Sequence, residues 1–266
     1  MELLSLLVIC VTLFNGNGNQ SNTDTRYGTK LMGYKILSDD LTFANVNSDS
    51  PKVCFLHGWG TSGKDFSKID PYFESITIDI PGFGKSVPFT ISFSPKKYAE
   101  YLYKLIPDSV EIVVGHSFGG RIAAHLSQLK NYKKIVIIAS PLIKIKNSKK
   151  SISFFNIFKF MNKLNLLSDN RLDSMRNKYG SEDYRKASKV LKDTLVMAVN
   201  DDLSSILPSI NTKVELIYGQ DDLVVPVKVG LDSNNIIPNS ELTIIPNEGH
   251  NMLRSSSKKI VEIILR

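Results

Sequence analysis

Ile112-Val113-Val114-Gly115-His116-Ser117-Phe118-Gly119-Gly120-Arg121 is the stretch on which the fold turns. An apolar run leads into Gly-x-Ser-x-Gly, and Ile122-Ala123-Ala124-His125-Leu126 continues as a helix-like run. A strand that bends sharply into a helix at a serine is a nucleophile elbow. The turn is tight, so the residues two before and two after the serine must be small, and Gly115 and Gly119 meet that need. Ser117 is expected in a strained backbone conformation with its hydroxyl clear of the sheet edge. The following helix is expected to point its N-terminus at the reacting centre. Taken alone, the pattern also describes an ordinary strand-to-helix turn, so the rest of the chain decides.

Working outward, short apolar strands alternate with helices. Lys52–Leu56 reads as a strand running into His57-Gly58-Trp59-Gly60, and Ile76–Asp79 as another running into Ile80-Pro81-Gly82-Phe83-Gly84-Lys85-Ser86. Ser94 to Leu105 has helical spacing, with Ser94 as N-cap and Pro95 at the first helical position. Ile135–Ala139, Val214–Tyr218 and Glu241–Ile245 read as further strands, and Lys258–Leu265 as a closing helix. Leu31–Leu37 and Leu41–Val46 read as opening antiparallel strands. This alternation argues a mostly parallel sheet covered on both faces, with function gathered at the carboxyl ends of the strands.

The chain of 266 residues suffices for one large α/β domain with an insertion. A net charge of +7 points to an anionic partner or surface, but no zinc-finger, basic-helix or RNA-binding signature accompanies it, so nucleic acid is not expected. The two cysteines, Cys10 and Cys54, imply no disulfide framework and are compatible with a reducing compartment. Leu3 to Phe14 is an apolar run, followed by the polar, turn-forming Asn15–Asp24. The run is short for a spanning helix and fits the core of a signal peptide in length, but no Lys or Arg precedes it. A signal or membrane tether, a frayed hydrophobic helix and a segment unrelated to the folded domain stand as alternatives. Cytoplasmic, tethered and secreted placements follow from them.

In order and spacing, five motifs resemble the α/β-hydrolase superfamily from about Leu31 onward: His57–Gly60, Asp79–Ser86, Gly115–Gly120, Gly219-Gln220-Asp221-Asp222-Leu223-Val224-Val225-Pro226 and Gly249-His250. The resemblance implies an α/β-hydrolase fold and a serine hydrolase of the esterase type that acts on a small-molecule ester. No cofactor is implied, and the histidines lack metal-ligand spacing. Relatives that open epoxides or displace halide carry Asp at the elbow, whereas this chain has Ser117.

A serine hydroxyl attacks only when a base takes its proton, and the base needs a carboxylate to orient it. Ser117, Asp222 and His250 follow the chain order of this fold. Of the other histidines, His57 is expected to fix its loop by hydrogen bonding, His116 to turn away from the site and pack, and His125 to be structural. Gly219 and Pro226 both point to Asp222 as the acid rather than Asp221. Asp79, a rarer alternative, is expected to hold its loop. The backbone N–H groups of Trp59 and Phe118 are the expected oxyanion donors, and both side chains are expected to meet substrate.

From Pro141 the strand–helix rhythm stops. The resemblance implies a helical cap here, giving residues 1–25 as N-terminal segment and linker, 26–140 as the first part of the core, 141–209 as cap and 210–266 as the second part. The cap is rich in cations: Lys144, Lys146, Lys149, Lys150, Lys159 and Lys163 early, and Arg185, Lys186, Lys189 and Lys192 later, with acids between them. A solvated helix face is one reading and a docking surface for an acidic carrier protein the other. In its His57–Ser86 region the chain resembles bacterial esterases that cleave pimeloyl methyl esters from acyl carrier protein. Ester, thioester, amide and C–C cleavage all fit these parts, and a ligand receptor of the same fold with little turnover is the alternative from a different class.

Overall fold

The computed structural model describes residues 33–144 and 189–266. The N-terminal segment and linker, and residues 145–188 of the expected cap, lie outside the described residues. The chain forms an eight-stranded sheet in the order β1-β2-β4-β3-β5-β6-β7-β8. The strands are β1 (Tyr34–Ile36), β2 (Phe43–Val46), β3 (Val53–Leu56), β4 (Ser75–Ile78), β5 (Ile112–His116), β6 (Lys134–Ile138), β7 (Lys213–Gly219) and β8 (Ser240–Ile245). β1 with β2, and β2 with β4, pair antiparallel, and every other pair is parallel.

The short apolar runs read in the sequence are the parallel strands, and burial on both faces explains why they are apolar throughout rather than alternating. Successive side chains feed opposite faces. Cys54, Leu56, Ile76, Ile78, Val113 and Ile135 join one core cluster, and Val53, Phe55, Val114, Val136 and Ile138 join the other. On the first face pack α1 (Pro95–Tyr103), through Tyr98, Ala99 and Leu102, and α2 (Phe118–Leu126), through Ile122, Ala123 and Leu126. The Ser94 hydroxyl accepts the Lys97 N–H at 3.3 Å and Pro95 opens the helix, as the capping pattern requires. Residues 189–200 form α3, and α4 (Val227–Ile236) follows β7. The short α5 (Met252–Ser255) leads into α6 (Ser257–Leu265), whose Ile260, Ile263 and Ile264 fill the second face.

β3 is followed by a crossover to β4 on one side, and β5 lies on its other side. The strand order therefore reverses beside β3, and the loops after β3 and β5 flank a crevice at the carboxyl edge of the sheet. Ligands of open α/β sheets bind in such crevices.

Candidate active site

Ser117 follows β5 and caps α2 with φ 52° and ψ −109°, a conformation that L-residues rarely adopt. Close packing enforces it. A methyl group on Gly119 would lie 2.1 Å from the Leu56 carbonyl oxygen, and one on Gly115 would lie 2.3 Å from the Gly119 carbonyl oxygen. The Gly119 N–H donates to the His57 carbonyl at 3.1 Å, tying the start of α2 to the end of β3. The Ser140 hydroxyl donates to the Ser117 carbonyl at 2.7 Å and fixes the elbow from the β6 side.

The structure brings Ser117, His250 and Asp222 together from three loops. His250 Nε2 lies 3.1 Å from Ser117 Oγ, and His250 Nδ1 lies 2.8 Å from Asp222 Oδ2. A carboxylate only accepts, so Nδ1 carries the proton and the Nε2 lone pair faces the serine hydroxyl. Asp222 is buried and is held in turn by the N–H groups of Val224 (2.7 Å) and Val225 (2.8 Å), both bonded to Oδ1. The neighbouring Asp221 side chain is exposed.

Phe118 occupies the first position of α2, where a backbone N–H has no acceptor within the helix. Its ring meets that of Trp59 edge-on at 5.1 Å, and Trp59 meets Phe83 at 4.8 Å. The two loops flanking the crevice thus touch through their aromatic rings. The loop bearing Trp59 is fixed by His57, whose Nδ1 donates to the Gly58 carbonyl at 2.7 Å and whose Nε2 accepts the Ile80 N–H at 2.9 Å. Asp79 accepts the Gly63 N–H at 2.7 Å and the Lys85 N–H at 2.8 Å. Asp79→Ala leaves both donors without an acceptor and is expected to lower stability by about 2–4 kcal/mol, read as a shift of the urea unfolding midpoint.

His116 departs from expectation. It packs as foreseen but does not turn away: Nε2 donates to the His250 carbonyl at 3.0 Å, and the two rings lie 5.1 Å apart. The partner comes from a loop 134 residues later in the chain, beyond the reach of local pattern reading. Burial, reinforced by the adjacent His250, lowers the His116 pKa to about 3. The folded protein therefore keeps this ring neutral where the unfolded chain, with an ordinary pKa near ~6.5, takes up a proton. Stability is accordingly expected to fall as pH drops from about 6.5 towards 3, by at most about 1.4 kcal/mol per pH unit from this group. Urea unfolding between pH 4 and 7 is expected to show a shallower acid limb in His116→Gln than in wild type. Equal slopes would remove His116 as the cause. His125 Nε2 meets Asp201 Oδ2 at 3.1 Å, away from the Ser117 hydroxyl.

A cavity of about 60 Å³ opens at Ser117. Trp59 and Phe118 wall one side, Val224 and Val225 come from the Asp222 loop, and Leu195, Ala198 and Val199 come from α3. Arg121, within the elbow stretch but without a role assigned from sequence, also lines it. The signal available was a lone cation opening an otherwise apolar helical run. Among the described residues, no group of His, Cys, Asp and Glu could hold a metal ion, and no helix is long and apolar enough to cross a membrane.

A model of the alpha/beta hydrolase family matches residues 55–263. Among curated proteins, the pimeloyl-[acyl-carrier protein] methyl ester esterase of Vibrio campbellii is 27% identical over 232 residues, covering 75% of this chain and 87% of the relative. The protein of the same name from Wigglesworthia glossinidia brevipalpis is 28% identical over 238 residues, covering 77% and 88%. Among solved structures, an esterase from Exiguobacterium antarcticum superimposes with a TM-score of 0.68 at 18% identity, covering 88% of this chain and 98% of that one.

Proposed function

The chain belongs to the alpha/beta hydrolase family, and on that premise we propose that it is a serine hydrolase cleaving a carboxylic ester through an acyl-enzyme. The observation that carries this reading is the continuous hydrogen-bonded line from Ser117 Oγ through His250 to Asp222. Ser117 Oγ attacks the acyl carbonyl carbon while its proton passes to His250 Nε2. Asp222 stabilises the imidazolium and holds its tautomer. The N–H groups of Trp59 and Phe118 receive the developing oxyanion, a contribution worth about 10²–10³ in rate per donor. The tetrahedral intermediate collapses, and the alcohol departs with the proton from His250. Water then gives a proton to His250 and attacks the acyl-enzyme, releasing the acid and restoring Ser117. The apolar wall of the cavity suits a short, moderately apolar acyl group.

A fluorophosphonate probe tests this directly, with Ser117→Ala as control and a nitrophenyl ester chain-length series beside it. Labelling of wild type alone, with ester turnover, is the expected result. A folded protein that neither labels nor turns over esters would place a ligand-binding role ahead of catalysis.

A second reading narrows the first. The curated relatives are named for a methyl ester carried on acyl carrier protein, and Lys144, Lys189 and Lys192 are exposed at the two ends of the undescribed segment. The other lysines of the expected docking face lie outside the described residues. Faster cleavage of a carrier-linked ester than of the free ester, with the advantage lost in high salt, is the expected signature of docking to an acidic carrier.

A further inference from the structure

The helix that follows Ser117 places a cation in a pocket whose wall is otherwise apolar. Arg121 lies one helical turn beyond Ser117, and both line the same cavity. The residue is buried, with 5% of its surface exposed. Burial lowers its pKa to about 10, with Asp201 opposing the shift, so the guanidinium stays charged at neutral pH. Its contacts run through Nη1, which donates to the Asp201 carbonyl oxygen and lies 3.9 Å from the Asp201 carboxylate. That carboxylate sits closer to His125, at 3.1 Å. A guanidinium carries five N–H donors in a planar fork. Among the described residues, no group accepts from Nε or Nη2.

Facing a cavity whose other walls are mostly apolar, these donors are open to whatever fills it. A ligand that brings an acceptor into the cavity pairs with them. We propose that Arg121 determines specificity in the acyl pocket, which takes a short acyl chain bearing an oxygen acceptor, either a ketone or a carboxylate. The proposal rests on the esterase reading above. The apolar walls hold the methylene groups between the two oxygens, and the guanidinium fork meets the second oxygen. Asp201 offsets part of the positive charge, so a neutral ketone is sufficient and a net negative charge is not required.

The test compares kcat/KM for nitrophenyl esters of 4-oxopentanoate and 5-oxohexanoate with those of pentanoate and hexanoate, and with the monoesters of succinate and glutarate. Wild type is expected to favour an oxygen-bearing chain over its matched alkanoate about 10- to 100-fold. In Arg121→Met that ratio falls to about 1. In Arg121→Lys, which keeps the charge without the fork, it is intermediate. The succinate and glutarate arm separates the two ligands: a preference confined to it assigns an anion, and one shared with the oxo esters assigns the oxygen acceptor alone. Equal wild-type rates across all three series overturn the proposal and leave the esterase reading standing. Absence of any turnover and of fluorophosphonate labelling overturns the esterase reading instead. The pocket is then read by NMR titration with the matched N-methyl amides, where equal affinity for oxo and plain chains overturns the proposal. The wild-type comparison decides even where Arg121→Met fails to fold.

Discussion

Replacing Ser117 by alanine is expected to lower kcat for a nitrophenyl ester by roughly 10⁶-fold. The residual rate reflects the oxyanion donors and the pocket, which act without the nucleophile. Adding His250→Ala is expected to cost almost nothing more, because a base without its nucleophile has no proton to take. Asp222→Asn is expected to cost about 10⁴-fold with the fold intact. Its amide can turn a donor towards Nδ1, which reverses the tautomer and removes the lone pair that Nε2 now presents to Ser117 at 3.1 Å. Steady-state kinetics on the single and double variants checks this. Losses that multiply in the double variant would mean that the two side chains act independently, against the mechanism above.

Gly119→Ala is expected to be the most damaging single methyl group among the described glycines. The added carbon has to sit 2.1 Å from the Leu56 carbonyl and 2.7 Å from that of His57, and both are backbone atoms of the central strand and its loop. They cannot swing aside as a side chain can. Relief comes only by lifting α2 off β3, which breaks the Gly119–His57 hydrogen bond and opens the elbow. A loss of roughly 3 kcal/mol or more is expected, a drop in melting temperature of about 6–12 °C for a chain of this size. Gly33→Ala, where nothing among the described residues lies within 4 Å, is the matched control and is expected to shift stability by less than about 0.5 kcal/mol. Thermal unfolding followed by circular dichroism reads both.

Much of this architecture was legible because its parallel strands are short apolar runs, each ended by a glycine, a proline or a motif. The elbow was legible for a steric reason: only glycine at 115 and 119 permits the approach between β5, α2 and β3. What stayed hidden depends on distance along the chain. Nothing near His116 in sequence announces its bond to the His250 carbonyl. Nothing near Arg121 announces Asp201, eighty residues further on. Helix α4 has a weak local signal, because Val227–Ile236 contains a glycine and two asparagines. Gly230 is there for packing, since a methyl group on it would lie 2.6 Å from the Tyr218 ring. Asp222 was separable from Asp221 by its spacing to Gly219 and Pro226. The structure buries the first and exposes the second.

β6 and β7 lie side by side in register, Lys134 against Lys213, although residues 139–212 separate them in the chain. The sheet therefore closes a long loop at this point whatever that loop contains. Closure entropy grows only with the logarithm of length, so doubling the intervening segment costs about 0.6 kcal/mol. Evolution is thus free to lengthen, shorten or exchange residues between these two strands at little expense to the sheet. Ser117 is supplied before the break, and Asp222 and His250 after it. On the mechanism proposed above, a lineage can therefore trade this segment while inheriting its reactive centre unchanged.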